Sequence, residues 1–208
     1  MGLRRTSSNA ILFASRNLGG FGFPSLSQSL EKQHLRMLCG HLRAADKVGC
    51  TIVNTMSTLQ LESGLIDPFL HSSYKFSTWV TDGWLKECWR ILDKYKLVLH
   101  SPKLWVPTTL CANDKSFMQT IAETNKFENW QLCQINRCRM YLKVITLSDI
   151  SMACGKQINQ SRFSMIPAPV EFFPYRWTFQ SCPDPTYWKV WRSAAEYLQI
   201  LTRPSKTP

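Results

Sequence analysis

Basic and aromatic side chains are the groups in this sequence best suited to chemistry with a partner. Lysine and arginine number 25 against 14 acids, which gives the 208-residue chain a net charge of +11. Such an excess favours an anionic partner, nucleic acid first and an anionic membrane surface second, with a solvated basic surface as the alternative. The candidate phosphate-binding residues are Arg4, Arg5, Arg16, Lys32, Arg36, Arg43, Lys47, Arg137, Arg139 and Lys143.

Aromatic side chains near the C-terminus are suited to stacking on bases. Tyr175, Arg176 and Trp177 follow one another in a segment rich in proline and aromatic residues. Stacking on exposed bases is the function that such residues serve in nucleic-acid-binding proteins. Burial is the better explanation for most aromatics here, since a small domain with eight tryptophans must place most of them in its core.

Catalytic and metal-binding patterns are weak by comparison. Two-metal polymerases and nucleases need clustered carboxylates, whereas the acids here are isolated and include no Asp-Asp pair. Asp184 fits a helix cap better than a nuclease motif. The group of His34, Cys39 and His41 matches no known zinc spacing, even with Cys50 as a fourth ligand. We therefore assign no catalytic residue, metal or cofactor, and enzymatic activity is not expected.

Cysteine usage favours an intracellular protein. None of the eight cysteines forms a C-x-x-C pair, and no secretory signal is evident. The expected compartment is nuclear or cytoplasmic, although the acid-free, arginine-bearing N-terminus is also compatible with a mitochondrial presequence. No stretch approaches the roughly 18 apolar residues of a membrane span. A thiol-dependent enzyme stays open as a less favoured alternative, with no cysteine singled out as its nucleophile.

Hydrophobic periodicity predicts a mainly α, helical bundle-like domain with an irregular Pro/aromatic-rich segment and few short strands. Extended pieces are expected near residues 97–99 and 105–106, and a loop over 65–76. The predicted helices cover 27–44, a second stretch ending near Gly64, 84–95 capped by Thr81 or Asp82, a short helix after Asn113-Asp114, 128–147, and a final helix opened by Asp184 and Pro185.

A glycine-rich segment precedes the first predicted helix. Three glycines permit left-handed backbone and a proline stops regular structure, so the segment is expected to form a hinge. Phe21, Phe23 and Leu26 around it are expected to be buried. The hinge residues are Gly19, Gly20, Gly22 and Pro24. The chain is therefore expected to divide into three parts. Residues 1–26 form an extended segment and the hinge, residues 27–152 a helical thumb-like domain, and residues 153–208 a Pro/aromatic-rich tail with a C-terminal helix.

The same N-terminal order of residues carries a family resemblance. The runs 3–5, 9–14 and 18–26, the last of which contains Gly19-Gly20-Phe21-Gly22, resemble the segment just beyond the palm in reverse transcriptases of non-LTR-type retroelements. Short motifs further on are similar to C-terminal regions of retroelement proteins in unicellular eukaryotes: Leu35-Arg36, His41-Leu42-Arg43, the run 59–64, the run 136–142, the run 147–150 and Tyr175-Arg176-Trp177.

This resemblance implies a fragment of an RNA-directed DNA polymerase of a retrotransposon. The family's Asp-Asp turn, which binds magnesium in the palm, would lie upstream of Met1 and be missing, so no catalytic residue transfers and no cofactor is expected in the fragment. What would remain are thumb-like helices that grip the backbone of the template-primer. The alternative is a helical protein-interaction module that docks a protein partner through the aromatic segment 172–179.

Overall fold

The computed structural model describes residues 12–23, 25–109, 111–152, 159, 177–178 and 180–202. Of residues 199–202 it describes only the backbone. The chain is mainly helical, which confirms the predicted fold class. The only strand-like pairing in these ranges is an isolated antiparallel bridge between Ser116 and Thr146. The α-helices of the described ranges are α1 (Leu26–Ala44), α2 (Lys47–Ser63), α3 (Trp84–Tyr95), α4 (Phe117–Glu123), α5 (Asn129–Leu142) and α6 (Pro185–Thr202).

Local signals set most of the helix ends. The carboxylate of Asp46 accepts a hydrogen bond from the Gly49 amide at the start of α2, and Gly64 ends that helix with a φ of 69°. Asp184 caps α6 by accepting from the Thr186 amide at 2.8 Å. Two predicted caps were wrong. Gly83 precedes α3, and Ser116 caps α4 in place of the Asn113-Asp114 pair.

The end of α5 differs from the sequence prediction by five residues. The helix stops at Leu142 because Lys143 adopts a left-handed φ of 58°. The chain then turns toward the start of α4, where the Phe117 amide donates to the Ile145 carbonyl at 3.0 Å. Asp149 accepts from the amides of Ile145 and Thr146, which holds the turn. The apolar periodicity through residue 147 therefore reflects burial of a turn and not a longer helix.

The hydrophobic core is continuous from α1 to α6. Its largest almost completely buried side chains are the tryptophans Trp89, Trp188 and Trp191, whereas Trp130 is 55% exposed. Because Trp188 and Trp191 of α6 belong to the same cluster as Leu38 of α1, the expected boundary at residue 153 does not separate the final helix from the helical domain. None of the described helices has the length and apolar character that a membrane crossing requires.

Residues 12–23 form a tight turn ahead of α1. Gly19 and Gly22 have positive φ angles of 76° and 63°, and a Cβ on Gly20 would lie 2.3 Å from the Ala14 carbonyl oxygen. The expected burial of the neighbouring apolar residues was wrong. Phe21 and Phe23 are 49% and 48% exposed and Leu26 is 85% exposed. The two rings stack on each other at the surface. Pro24 lies outside the described residues.

Candidate nucleic-acid interface

A groove of about 740 Å³ lies between α1 and the end of α3. Its apolar lining includes Leu35, Ile91 and Leu97. Three exposed cations of α1, Lys32, Arg36 and Arg43, line it as well. They are separated by four and seven residues, which places them on one face of the helix. The groove thus combines an apolar interior with a basic rim.

The rim cations form no salt bridge among the described residues. Within the described part of the chain, Lys32, Arg36 and Arg43 take part in none of the ion pairs, which join other residues. Lys47 at the first turn of α2 is also exposed and unpaired there, but it does not line the groove. The structure therefore brings three of the ten predicted phosphate-binding residues together on one surface.

A buried carboxylate joins the two walls of the groove. Glu31 of α1 is only 5% exposed, and its oxygens accept from Lys94 Nζ at 2.9 Å, Arg90 Nη2 at 2.8 Å and Tyr95 Oη at 2.7 Å. Hydrogen bonds from Lys94, then Arg90 and Tyr95, lower the pKa of Glu31 to about 2. Because Lys94 and an arginine shared with Glu87 balance its charge, this carboxylate does not oppose an anionic ligand in the groove.

Sequence reasoning did not identify Glu31, Tyr95 or Ile91 as parts of this surface. A signal was present for the first of them. Glu31 shares the helical spacing of Leu35, Leu38 and Leu42, so it lies on the face of α1 that packs against the protein. An acid on a buried stripe needs charged partners, and α3 supplies them. The contribution of Tyr95 could not be found from spacing, because it depends on how α3 packs on α1.

The other predicted cations do not join the groove. Arg16 is exposed and its Nε donates to the Phe21 carbonyl at 3.4 Å, within the N-terminal turn. Arg137 lies 5.9 Å from the centre of the Tyr187 ring and lines a separate polar cavity with Glu62, Asp82 and Asp184. Lys143 is half-buried at the end of α5. Arg4 and Arg5 lie outside the described residues.

Arg139 is a correction to the predicted phosphate-binding set, because its side chain is fully buried. The guanidinium donates to the carbonyls of Leu61 at 2.6 Å, Glu62 at 2.9 Å and Val144 at 2.7 Å, and to the Asn136 side-chain oxygen at 2.8 Å. Burial lowers the pKa of Arg139 to about 9, which still leaves it charged at neutral pH. The guanidinium pairs with carbonyls at the C-terminal end of α2, where a positive charge is favourable. Because it is buried, a phosphate cannot reach it.

Two motifs quoted for the retroelement resemblance meet at this point. The run 59–64 ends α2, and the run 136–142 supplies Asn136 and Arg139 from α5. Asn136 Nδ2 donates to the Glu62 carbonyl, Trp79 Nε1 to the Ser63 carbonyl, and Ser116 Oγ to the Gly64 carbonyl. A helix leaves its last four carbonyls unpaired, and here tertiary contacts satisfy them. In this protein both motifs therefore hold helices together.

The cysteines give little support to a thiol-dependent enzyme. Burial raises the pKa of Cys88 and of Cys138 to about 12, and it also raises the pKa of Cys133. The thiols of Cys133 and Cys182 donate to backbone carbonyls, and no described cysteine is hydrogen-bonded to a histidine. The candidate protein-docking segment 172–179 lies outside the described residues except for Trp177 and Thr178.

Two of the candidate zinc ligands, His34 and His41, make other contacts. His34 packs edge-on against Trp84, whereas His41 Nδ1 bonds to Asp46 at 2.8 Å. Over the described ranges, no three side chains of the types that ligate metals come together.

Comparisons with known proteins point to no function, so the groove is the feature from which a function can be inferred. No protein-family model, no curated protein and no solved structure matches this chain.

Proposed function

We propose that this protein binds nucleic acid through the groove between α1 and α3, as a non-catalytic part of a reverse-transcriptase-like protein that holds the template-primer. The observation that carries the proposal is the row of exposed, unpaired cations formed by Lys32, Arg36 and Arg43. Neighbouring like charges on a helix repel each other, and a polyanion relieves that repulsion. Binding of this kind depends on the phosphate backbone and shows little sequence preference.

The proposed contacts set the expected dependence on salt. Each phosphate neutralised on duplex DNA contributes about −0.9 to the slope of log affinity against log salt concentration. Three contacts therefore predict a slope of about −2.7, or a loss of roughly 40-fold in affinity between 50 and 200 mM salt. This dependence distinguishes phosphate contacts from an apolar protein interface, which responds much less to salt.

The test compares two triple variants that remove the same charge. In the first, Lys32→Ala, Arg36→Ala and Arg43→Ala clear the groove rim. In the control, Lys115→Ala, Lys189→Ala and Arg192→Ala remove exposed cations that do not line the groove. Fluorescence anisotropy with a labelled oligonucleotide, measured at several salt concentrations, gives affinity and slope for each.

We expect the groove variant to lose most of the affinity and to flatten the salt slope by about 2.7, whereas the control stays close to the original protein. Equal losses in the two variants would show that net charge and not the groove is responsible. Absence of binding by the original protein at low salt would overturn the proposal.

A further inference from the structure

We infer that the groove receives an unpaired nucleobase, so that it binds a single-stranded part of the template-primer and not the paired part. This inference rests on the proposed function and adds to it the form of the nucleic acid. Three features of the groove carry it: the apolar lining, the position of Tyr95 and the glycine at position 40. None of them is needed to hold the phosphates of a double helix.

The apolar lining is the first feature. Cations on a convex surface suffice for a duplex, whose bases are stacked inside and present only edges. Here the cations border a cavity of about 740 Å³ that Leu35, Ile91 and Leu97 line, and Leu97 is 48% exposed. Cavities of a few hundred Å³ with apolar walls and few polar groups are typical of sites that enclose a small planar group. A splayed base of a single strand is such a group, and its phosphates would remain at the rim.

Tyr95 is the second feature. This residue is 43% exposed and lines the groove, while its hydroxyl donates to Glu31 at 2.7 Å. Lys94 Nζ lies 4.8 Å from the ring centre, so the ring is held by contacts at its tip and over its face. A ring that is fixed before the ligand arrives loses little conformational entropy on binding. Stacking of bases on such rings is a principal source of affinity for single strands.

Gly40 is the third feature. It lies in the basic row, four residues after Arg36 and three before Arg43, and it lines the groove. Glycine destabilises a helix interior, and the fold does not require it here, because a Cβ at this position would meet no atom within 4 Å. The missing side chain leaves space between two cations, where the sugar and base of a nucleotide can approach the helix.

An acidic peptide is the competing ligand, because it would meet the same cations. The base is favoured because the same groove contains a fixed aromatic ring and the gap at Gly40, whereas a peptide helix needs a row of apolar pockets at helical spacing. The test therefore includes three ligands: a labelled single-stranded oligonucleotide, the duplex of the same sequence, and an acidic amphipathic peptide.

The decisive variant is Gly40→Leu, which fills the gap without changing charge. Its matched control is Gln33→Leu, which adds the same side chain to an exposed position of α1 outside the groove. Tyr95→Ala removes the ring, and Tyr95→Phe keeps it. Circular dichroism and thermal melting check the fold of each variant. Gly40→Leu keeps the test meaningful if Tyr95→Ala fails to fold, because leucine favours the helix.

We expect the original protein to bind the single strand more tightly than the duplex by a factor of about ten or more, because stacking of one base contributes about that factor to the affinity. Gly40→Leu and Tyr95→Ala should each lower the affinity for the single strand about tenfold. The affinity for the duplex should change by less than about twofold. Gln33→Leu should behave like the original protein. Tyr95→Phe keeps the ring but loses its bond to Glu31, so its affinity for the single strand should lie between those of the original protein and Tyr95→Ala.

The outcomes separate this inference from the proposed function. If the single strand and the duplex bind equally and Gly40→Leu matches Gln33→Leu, the base site is overturned, while a loss on removing Lys32, Arg36 and Arg43 would still support phosphate binding. If no nucleic acid binds at low salt, both proposals fail. If only the acidic peptide binds and responds to Gly40→Leu, the groove is a protein-binding site and the inference is overturned.

Discussion

Arg139 and Arg36 are the same side chain in opposite environments. Arg139 is fully buried and donates to four oxygens at the junction of α2 and α5. Arg36 is exposed on α1, lines the groove and forms none of the described ion pairs. Both were candidates for phosphate contact, and both lie in motifs that support the family resemblance. The comparison shows that an arginine in a basic, apolar stretch has no fixed role until its acceptors are known.

The difference follows from what each arginine can reach. The end of α2 presents backbone carbonyls that have no partner within their own helix, and a guanidinium has enough donors to satisfy several of them at once. On the groove side, α3 supplies Arg90 and Lys94, which use the carboxylate of Glu31 and leave the α1 rim without an acid. The first site therefore stabilises the fold, and the second is available to a ligand.

The largest expected effect is at the buried site. Arg139→Met should lower the free energy of unfolding by about 3–5 kcal/mol, because the carbonyls of Leu61 and Val144 lose their donor in a dry environment. Urea denaturation followed by circular dichroism measures the loss. Arg139→Lys keeps the charge but not the planar fork, so it should recover only part of the stability. A loss below about 1 kcal/mol would contradict the role given to this arginine.

A pair of glycine substitutions sharpens the same comparison. Gly64→Ala should destabilise the protein by about 1–3 kcal/mol, since φ is 69° and the new Cβ would lie 2.9 Å from Arg139 Cζ. Gly40→Ala should stabilise it by about 0.5–1 kcal/mol, because the site is helical and open. Thermal melting of both variants provides the measurement. Changes of the same sign would show that the two glycines do not differ in the way the geometry indicates.

The pH dependence tests the ionic link between α1 and α3. A carboxyl whose pKa is lower in the folded protein stabilises the fold above its ordinary pKa of 4.5, and this stabilisation disappears as the pH falls toward about 2. Glu31→Gln cannot titrate, so it should lose less unfolding free energy over this interval than the original protein. Urea denaturation at several pH values compares the two. Parallel pH profiles would contradict the assigned contacts of Glu31.

The smallest effect on stability is expected at the groove rim. Removing Lys32, Arg36 and Arg43 together should change the free energy of unfolding by no more than about 0.5 kcal/mol for each residue, and relief of repulsion should make part of that change favourable. The same denaturation experiment checks this. A loss of several kcal/mol would mean that the cations hold the fold, and binding data on the triple variant would need a different explanation.

Much of the helical framework followed from local sequence. The helices opened by Asp46 and by Asp184 carry their own capping side chains, and Gly64 supplies the left-handed residue that ends α2. The regular spacing from Trp84 to Tyr95 matches α3 at both ends. These signals act over a few residues, so no knowledge of the rest of the chain is needed to read them.

Local sequence was misleading where distant contacts decide the outcome. The apolar pattern continues past Leu142, yet the helix stops because the chain pairs with the start of α4. Phe21, Phe23 and Leu26 have the composition of a buried cluster and are found at the surface. In both cases hydrophobicity shows only that burial is favourable, and packing decides which residues obtain it.

By itself, the sequence determined the mainly α class, most of the helix ends and the excess of positive charge, because propensity, capping and net charge are properties of neighbouring residues or of composition. Only the tertiary structure decided which cations face solvent. Arg139 donates to a carbonyl 78 residues away, and Glu31 is bonded to Lys94 from 63 residues away. A charge is neutralised by whatever lies beside it in space, and that arrangement forms only when the helices pack.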